Sequence, residues 1–239
     1  DLHQAIVESC DIYFYDLAYK LTVDRIHEYG AKFGLGSKSG IDLPNERQGI
    51  LPSRRWKRGA RGEPWYPGET LNIGIGQGYM LTTPLQLAVA TAAVANRGVL
   101  LQPRLLKSVS GEIPRPPQGT PFALKDEANW DIIFRAMEDV VHGRRGTGKI
   151  ISRKLGYRMA GKTGTAQVIG IAQGEEYDAE AIAKRNRDHA LFIAFAPLEN
   201  PKIAVAVVVE NGEHGSSTAA PIARKVIDEY LLNSIGAKG

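Results

Sequence analysis

The chain has 239 residues, 43% of them hydrophobic and 23% charged, which is apolar material enough for a full core and rules out wholesale disorder. A formal net charge of +4 permits anionic partners without arguing for one, and the single cysteine, Cys10, excludes an internal disulfide framework. The apolar run from Ile203 to Val209 is far too short to span a bilayer.

The sequence opens on Asp1, and Leu2 to Val7 reads as a helix already under way, so a longer parent chain is expected, with any membrane anchor elsewhere in it. Apolar residues at Leu2, Ala5, Ile6, Tyr13 and Leu17 keep a helical period that Ser9-Cys10-Asp11 interrupts; one helix and a broken pair of helices both fit. Thr22 is placed as an N-cap, with Asp24 in the first turn, Val23, Ile26 and Phe33 inward and Gly34 as the stop. Pro44, Pro52, Pro64 and Pro67 then argue against long regular elements. The basic run Arg54, Arg55, Lys57, Arg58, Arg61 around Trp56 suits either nucleic acid or a solvated loop, and the loop is the preferred reading.

Leu71 to Tyr79 alternates apolar residues with glycine, but its spacing fails as a dinucleotide loop. Thr83, Pro84 and Gln86 form a capping box with proline at its favoured place, predicting a structural helix to about Asn96 with Gly98 beyond it and Leu85, Ala88, Ala92 and Ala93 inward. Val99 to Val109 predicts an edge strand and turn, and Pro114 to Pro121 a connection. Trp130, Ile133, Phe134, Met137, Val140 and Val141 predict an amphipathic helix stopped at Gly143. Gly143-Arg144-Arg145-Gly146-Thr147-Gly148-Lys149 nearly matches a phosphate-binding loop. Ile150 stands where a magnesium-binding hydroxyl is required, however, and a helix stands where a strand is, so the nucleotide reading is rejected.

The last third predicts a strand at 157–169, a charged insertion at 170–189, strands at Leu191–Ala196 and Ile203–Glu210, and a helix from about Thr218 to Leu232. That helix would pack Ile222, Val226, Ile227, Tyr230 and Leu231 over an antiparallel sheet. The fold class expected is α+β. Within the first strand, Lys162-Thr163-Gly164-Thr165 joins a cation and two hydroxyls to a glycine that leaves the backbone bare, a set suited to gripping a carboxylate beside an added peptide strand.

Taken together, Ser9-Cys10-Asp11, Ile75-Gly76-Gln77-Gly78 followed by Leu81 to Gln86, and Lys162 to Val168 resemble, in order and spacing, the motifs of class B penicillin-binding proteins. Tyr13-Phe14-Tyr15, Gly40 to Pro44 and Asp188-His189 to Pro197 are similar to the elongation-specific subgroup of rod-shaped Gram-negative bacteria. The resemblance implies the antiparallel sheet and helices of the penicillin-binding transpeptidase and serine β-lactamase fold, C-terminal part only. It also implies acyl transfer on peptidoglycan stem peptides ending in D-Ala-D-Ala, with β-lactams as mimics. Ser9, Asp11 and Lys162 are then the catalytic candidates, Thr163, Gly164 and Thr165 the substrate-binding ones, and the Thr165 N–H an oxyanion donor.

No serine here is followed three positions later by lysine, so the family's nucleophile is expected ahead of Asp1. Cys10 is a candidate ligand of a structural zinc completed by further residues, and His3 a weaker one; catalysis itself needs no cofactor. The resemblance further implies a glycan polymerase and elongation proteins as partners, no nucleic acid, and anchorage at the periplasmic face of the inner membrane. A penicillin-binding sensor or scaffold without turnover is the alternative, and a β-lactamase is disfavoured because no water-activating carboxylate stands out.

Overall fold

The computed structural model describes residues 1–111, 119–168 and 183–234, so the greater part of the predicted charged insertion lies outside the described residues. Two compact units result: a helical unit, Asp11–Trp130, and a sheet unit made of Asp1–Cys10 and the chain from Asp131 onward.

Helix α1 (Leu2–Glu8) is capped by Asp1, whose carboxylate accepts the Gln4 N–H at 2.8 Å. It ends at Ser9, which takes the left-handed conformation at φ 56°; the Ser9 N–H reaches Ile6 O at 3.4 Å and the Cys10 N–H reaches Ala5 O at 2.9 Å. The polar interruption is thus a helix stop, and α2 (Asp11–Leu21) starts afresh.

Within the helical unit, α3 (Val23–Lys32) begins where expected, but Thr22 makes no side-chain cap, because its backbone turns to φ 65°. The proline-rich stretch expected to be irregular contains two short helices, α4 (Arg54–Arg61) and α5 (Pro67–Gly74). Each starts on a side-chain cap: Ser53 Oγ accepts the Trp56 N–H at 3.0 Å, and Glu69 accepts the Tyr66 N–H at 2.8 Å. The prolines sit outside or at the first turn, where a missing N–H costs nothing.

Gly74 lets α5 close on α2, since a Cβ there would fall 2.4 Å from that of Ala18. Helix α6 (Pro84–Ala95) carries the predicted capping box, with Thr83 Oγ1 accepting the Gln86 N–H at 3.1 Å and Gln86 accepting the Thr83 N–H at 2.9 Å. Its buried positions are Gln86, Thr91 and Ala93. The predicted inward set Leu85, Ala88 and Ala92 is only half-buried, because Gln86 turns inward to bind two loop carbonyls. Strands β1 (Val99–Leu101) and β2 (Gly119–Pro121) pair antiparallel.

Helix α7 (Ala128–His142) has the predicted stripe, with Phe134, Met137, Val140 and Val141 buried in the sheet unit and Phe134 tilted against Phe195 at 5.0 Å between centroids. The sheet is β3 (Ala160–Ala166), β4 (His189–Ala196) and β5 (Ile203–Val209), antiparallel in the order β3-β4-β5. Central β4 buries Ala190, Phe192, Ala194 and Ala196 on one face, while on the other Phe195 is buried and His189, Leu191 and Ile193 are half-buried. Phe192, Ala194 and Val205 form the core with Met159, Ile151 and helix α8 (Ala220–Asp228).

The predicted stripe of α8 is corrected. Ala220, Ala223 and Ile227 face the sheet, Leu231 follows them, and Ile222, Val226 and Tyr230 stay 42–46% exposed. The cause is a π-helical turn, Gly215–Ala219, that brings the element so close to the strands that mainly alanines fit beneath it.

Candidate active site

Two elements of the sheet unit present the predicted polar residues to each other. Ser9 stands at the exposed end of α1, and Lys162 reaches it from β3: the ammonium Nζ donates to Ser9 Oγ at 2.9 Å and to Thr163 O at 3.0 Å. A non-glycine residue in the left-handed region costs about 1 kcal/mol. Ser9 holds that conformation where its hydroxyl meets a cation, a pattern typical of functional positions. A charge-assisted bond of this kind fixes both side chains and leaves the hydroxyl able to pass a proton.

Strand β3 is the edge of its sheet among the described residues, paired only with β4 through Lys162↔Ile193, Thr163↔Phe192, Gly164↔Leu191 and Thr165↔Ala190. A Cβ built on Gly164 would meet only Leu191 Cβ, at 3.3 Å, so the strand is bare on the Lys162 side. Thr163 Oγ1 lies 2.8 Å from Thr147 Oγ1, while Thr165 is exposed. Beyond the strand, the buried Asp188 carboxylate accepts the Val168 N–H at 3.3 Å and holds the exit of β3.

The other candidates are placed as follows. Asp11 is the first residue of α2, in the helical unit. Cys10 is exposed with a free thiol, and His3 Nε2 is taken up by Asp139 at 3.0 Å. Among the described residues no three His, Cys, Asp or Glu side chains gather as a metal site, so these two donors do not by themselves fit a structural zinc.

Residues that the sequence reading passed over include Thr147, from the rejected phosphate-loop segment, and Gly215, at which a Cβ would fall 2.2 Å from Leu191 O and 2.6 Å from Gly164 O. The glycine spacing around Thr147, which marks a tight loop, was the available signal. Gly215 follows a histidine in a polar stretch and carried none.

The basic run also differs from expectation. Arg54, Arg55, Arg58 and Arg61 face solvent, but Lys57 is buried, bonded to Glu69, 3.4 Å from Glu63 and 4.5 Å above the Tyr66 ring. Burial opposes the Lys57 charge, yet the Glu69 carboxylate outweighs it and raises the lysine above its ordinary range, while Glu69 is held below the usual carboxylate range by the same bond. This is a structural ion pair; such perturbed groups mark active sites only when they line a cleft.

Comparison with known proteins agrees with the geometry. Residues 1–228 match the penicillin binding protein transpeptidase domain family. A curated relative, the peptidoglycan D,D-transpeptidase MrdA of Acinetobacter baumannii, is 45% identical over 97% of the chain and 34% of its own length. Among solved structures, Pseudomonas aeruginosa PBP2 in complex with WCK 5153 is 48% identical with a TM-score of 0.87, over 98% of this chain and 49% of that one. Helicobacter pylori PBP2 in complex with MreC is 32% identical with a TM-score of 0.83, over 98% and 41%. The chain spans about a third of the length of the curated relatives it matches.

Proposed function

The chain belongs to the penicillin-binding protein transpeptidase domain family, and on that premise we propose that it serves in a D,D-transpeptidase that cross-links peptidoglycan stem peptides during cell elongation. The observation that carries this reading is the Lys162 ammonium bonded to Ser9 Oγ at 2.9 Å beside the bare strand at Gly164. An extended peptide added along β3 brings its terminal carboxylate to the Thr163 and Thr165 hydroxyls with Lys162 behind them. A serine outside this chain attacks the carbonyl of the penultimate D-Ala, and its proton passes to a base. The negative charge that develops on the carbonyl oxygen is met by the Thr165 N–H, a donor worth about 3 kcal/mol in such sites.

Collapse of the adduct breaks the peptide bond, and the nitrogen of the departing D-Ala takes a proton relayed through Ser9 and Lys162. The amine of a neighbouring stem peptide then attacks the acyl-enzyme and restores the serine. For Asp11 the family resemblance implies a part in orienting the relay or the peptide. A β-lactam carboxylate enters in place of the substrate's. The MreC complex of the Helicobacter pylori relative supports an elongation assembly. A glycan polymerase as further partner and the periplasmic face of the inner membrane as location rest on the family resemblance.

The zinc reading of Cys10 requires donors beyond the described residues. Elemental analysis of the full-length protein tests it: stoichiometric zinc retains it and its absence removes it. The proposed function itself is tested by incubating the full-length protein with pentapeptide-bearing glycan strands. Release of D-Ala with formation of cross-linked dimers is expected, and both products are expected to vanish in Lys162→Ala. Cross-linking by Lys162→Ala at the parent rate would refute the assignment.

A further inference from the structure

The segment Gly143–Lys149, which imitates a phosphate loop, occupies a position that none of the roles above uses. Its backbone is locked onto α7: a Cβ at Gly146 would fall 2.2 Å from Asp139 O and 2.3 Å from Val140 O, and the Gly148 N–H donates to Val140 O at 2.9 Å. From that base it reaches both halves of the candidate site. The Thr147 N–H donates to Val7 O at 3.3 Å, two residues before Ser9, and Arg145 pairs with Glu8 at 3.2 Å. The Thr147 hydroxyl lies 2.8 Å from that of Thr163 on β3.

A threonine hydroxyl has one proton, and a carboxylate only accepts. If Thr163 donates its proton to a substrate carboxylate, the bond between the two threonines must run from Thr147 to Thr163. We propose that Thr147 is a positioning residue for carboxylate recognition: its hydroxyl donates to Thr163 Oγ1 and so commits the Thr163 proton to the ligand. Its N–H meanwhile registers α1, and with it Ser9, against the same strand. The inference rests on the reading of Thr163 as a carboxylate contact.

The test measures acylation of the full-length protein by a chromogenic cephalosporin and by the ester of the same compound, which lacks the carboxylate. Thr147→Val keeps the N–H and the volume and removes the donor. It is expected to lower the second-order acylation rate with the free acid by about tenfold, through weaker binding, as for one lost hydrogen bond to a charged ligand system. The rate with the ester is expected to stay unchanged. Thr147→Ser is expected to restore the parent rate, and Thr147→Val/Thr163→Val to be no slower than Thr163→Val alone. Should Thr147→Val fail to fold, Thr147→Ala takes its place.

A free-acid rate equal to the parent in Thr147→Val, with Thr163→Val impaired, would overturn the inference alone. So would additive losses in the double variant, or an equal loss with the ester. An unimpaired Thr163→Val would instead overturn the carboxylate reading and the inference with it.

Discussion

At the scale of single residues, Ser9 joins two demands that oppose each other. Its backbone sits at φ 56°, where glycine is favoured, and its side chain accepts a bond from Lys162. Ser9→Gly is therefore expected to leave thermal stability equal to or above the parent, since relief of about 1 kcal/mol of backbone strain offsets the lost bond. The same substitution should slow acylation of the full-length protein, and a melting curve beside an acylation assay checks both halves. Ser9→Ala keeps the strain and loses the bond, and is expected to melt below Ser9→Gly.

Lys162, Thr163, Gly164 and Thr165 stood out in the sequence through their order and spacing relative to Ser9-Cys10-Asp11, and the structure places them on the edge strand β3 with Lys162 bonded to Ser9. Lys57 was not. Within its basic run it reads as one more solvated charge, and only Glu69, Tyr66 and Tyr79, brought back by the turn into α5, make it an interior residue. Thr147 was hidden for a different reason: the glycines around it mark a tight loop, but its partner Thr163 is sixteen positions away and the loop does not name it.

At the scale of elements, local signals succeeded where a cap or a period is complete within one turn. The Thr83–Gln86 box fixed the start of α6, yet the tertiary role of Gln86 was invisible: its Nε2 donates to Ser37 O at 2.7 Å and Gln48 O at 2.8 Å from a fully buried position. Gln86→Ala is expected to cost about 3 kcal/mol, because two carbonyls lose their donor at once, as chemical denaturation would record. The α8 stripe held at Ile227 and Leu231 but not at Ile222, Val226 and Tyr230, because Ala220 and Ala223 make the close contact that follows the π-turn at Gly215, and small residues carry no signal of a packed face.

One element contact sets a pH dependence. Tyr157 donates to Asp228 at 2.7 Å, and burial followed by that carboxylate raises the phenol well above its ordinary value of 10.0. The folded state thus retains the proton while the unfolded chain releases it, so this stability is complete below about pH 10 and declines as pH rises further. Melting temperature followed from pH 9 to 11 is expected to fall less steeply in Tyr157→Phe than in the parent.

At the scale of the whole molecule, the α+β class and the order β3-β4-β5 were readable because three strands succeed one another, the first two across a charged insertion and the last two across a short turn, and a helix closes the series. The division into two compact units was not readable, since Asp1–Cys10 joins residues more than a hundred positions later through contacts no local pattern announces. That no serine of the 239 residues is followed three positions later by lysine gives a prediction at this scale. The 239-residue chain alone is expected to take no label from a fluorescent penicillin, and the full-length protein to take one label per molecule.

The most direct test of the account is the second-order rate of acylation of the full-length protein by a chromogenic cephalosporin, parent against Lys162→Ala. With Lys162 backing the carboxylate contacts and relaying through Ser9, the rate is predicted to fall by about a hundredfold or more, while the protein stays folded and melts lower only by what the lost bonds to Ser9 and Thr163 account for. Equal rates in the two proteins would contradict it.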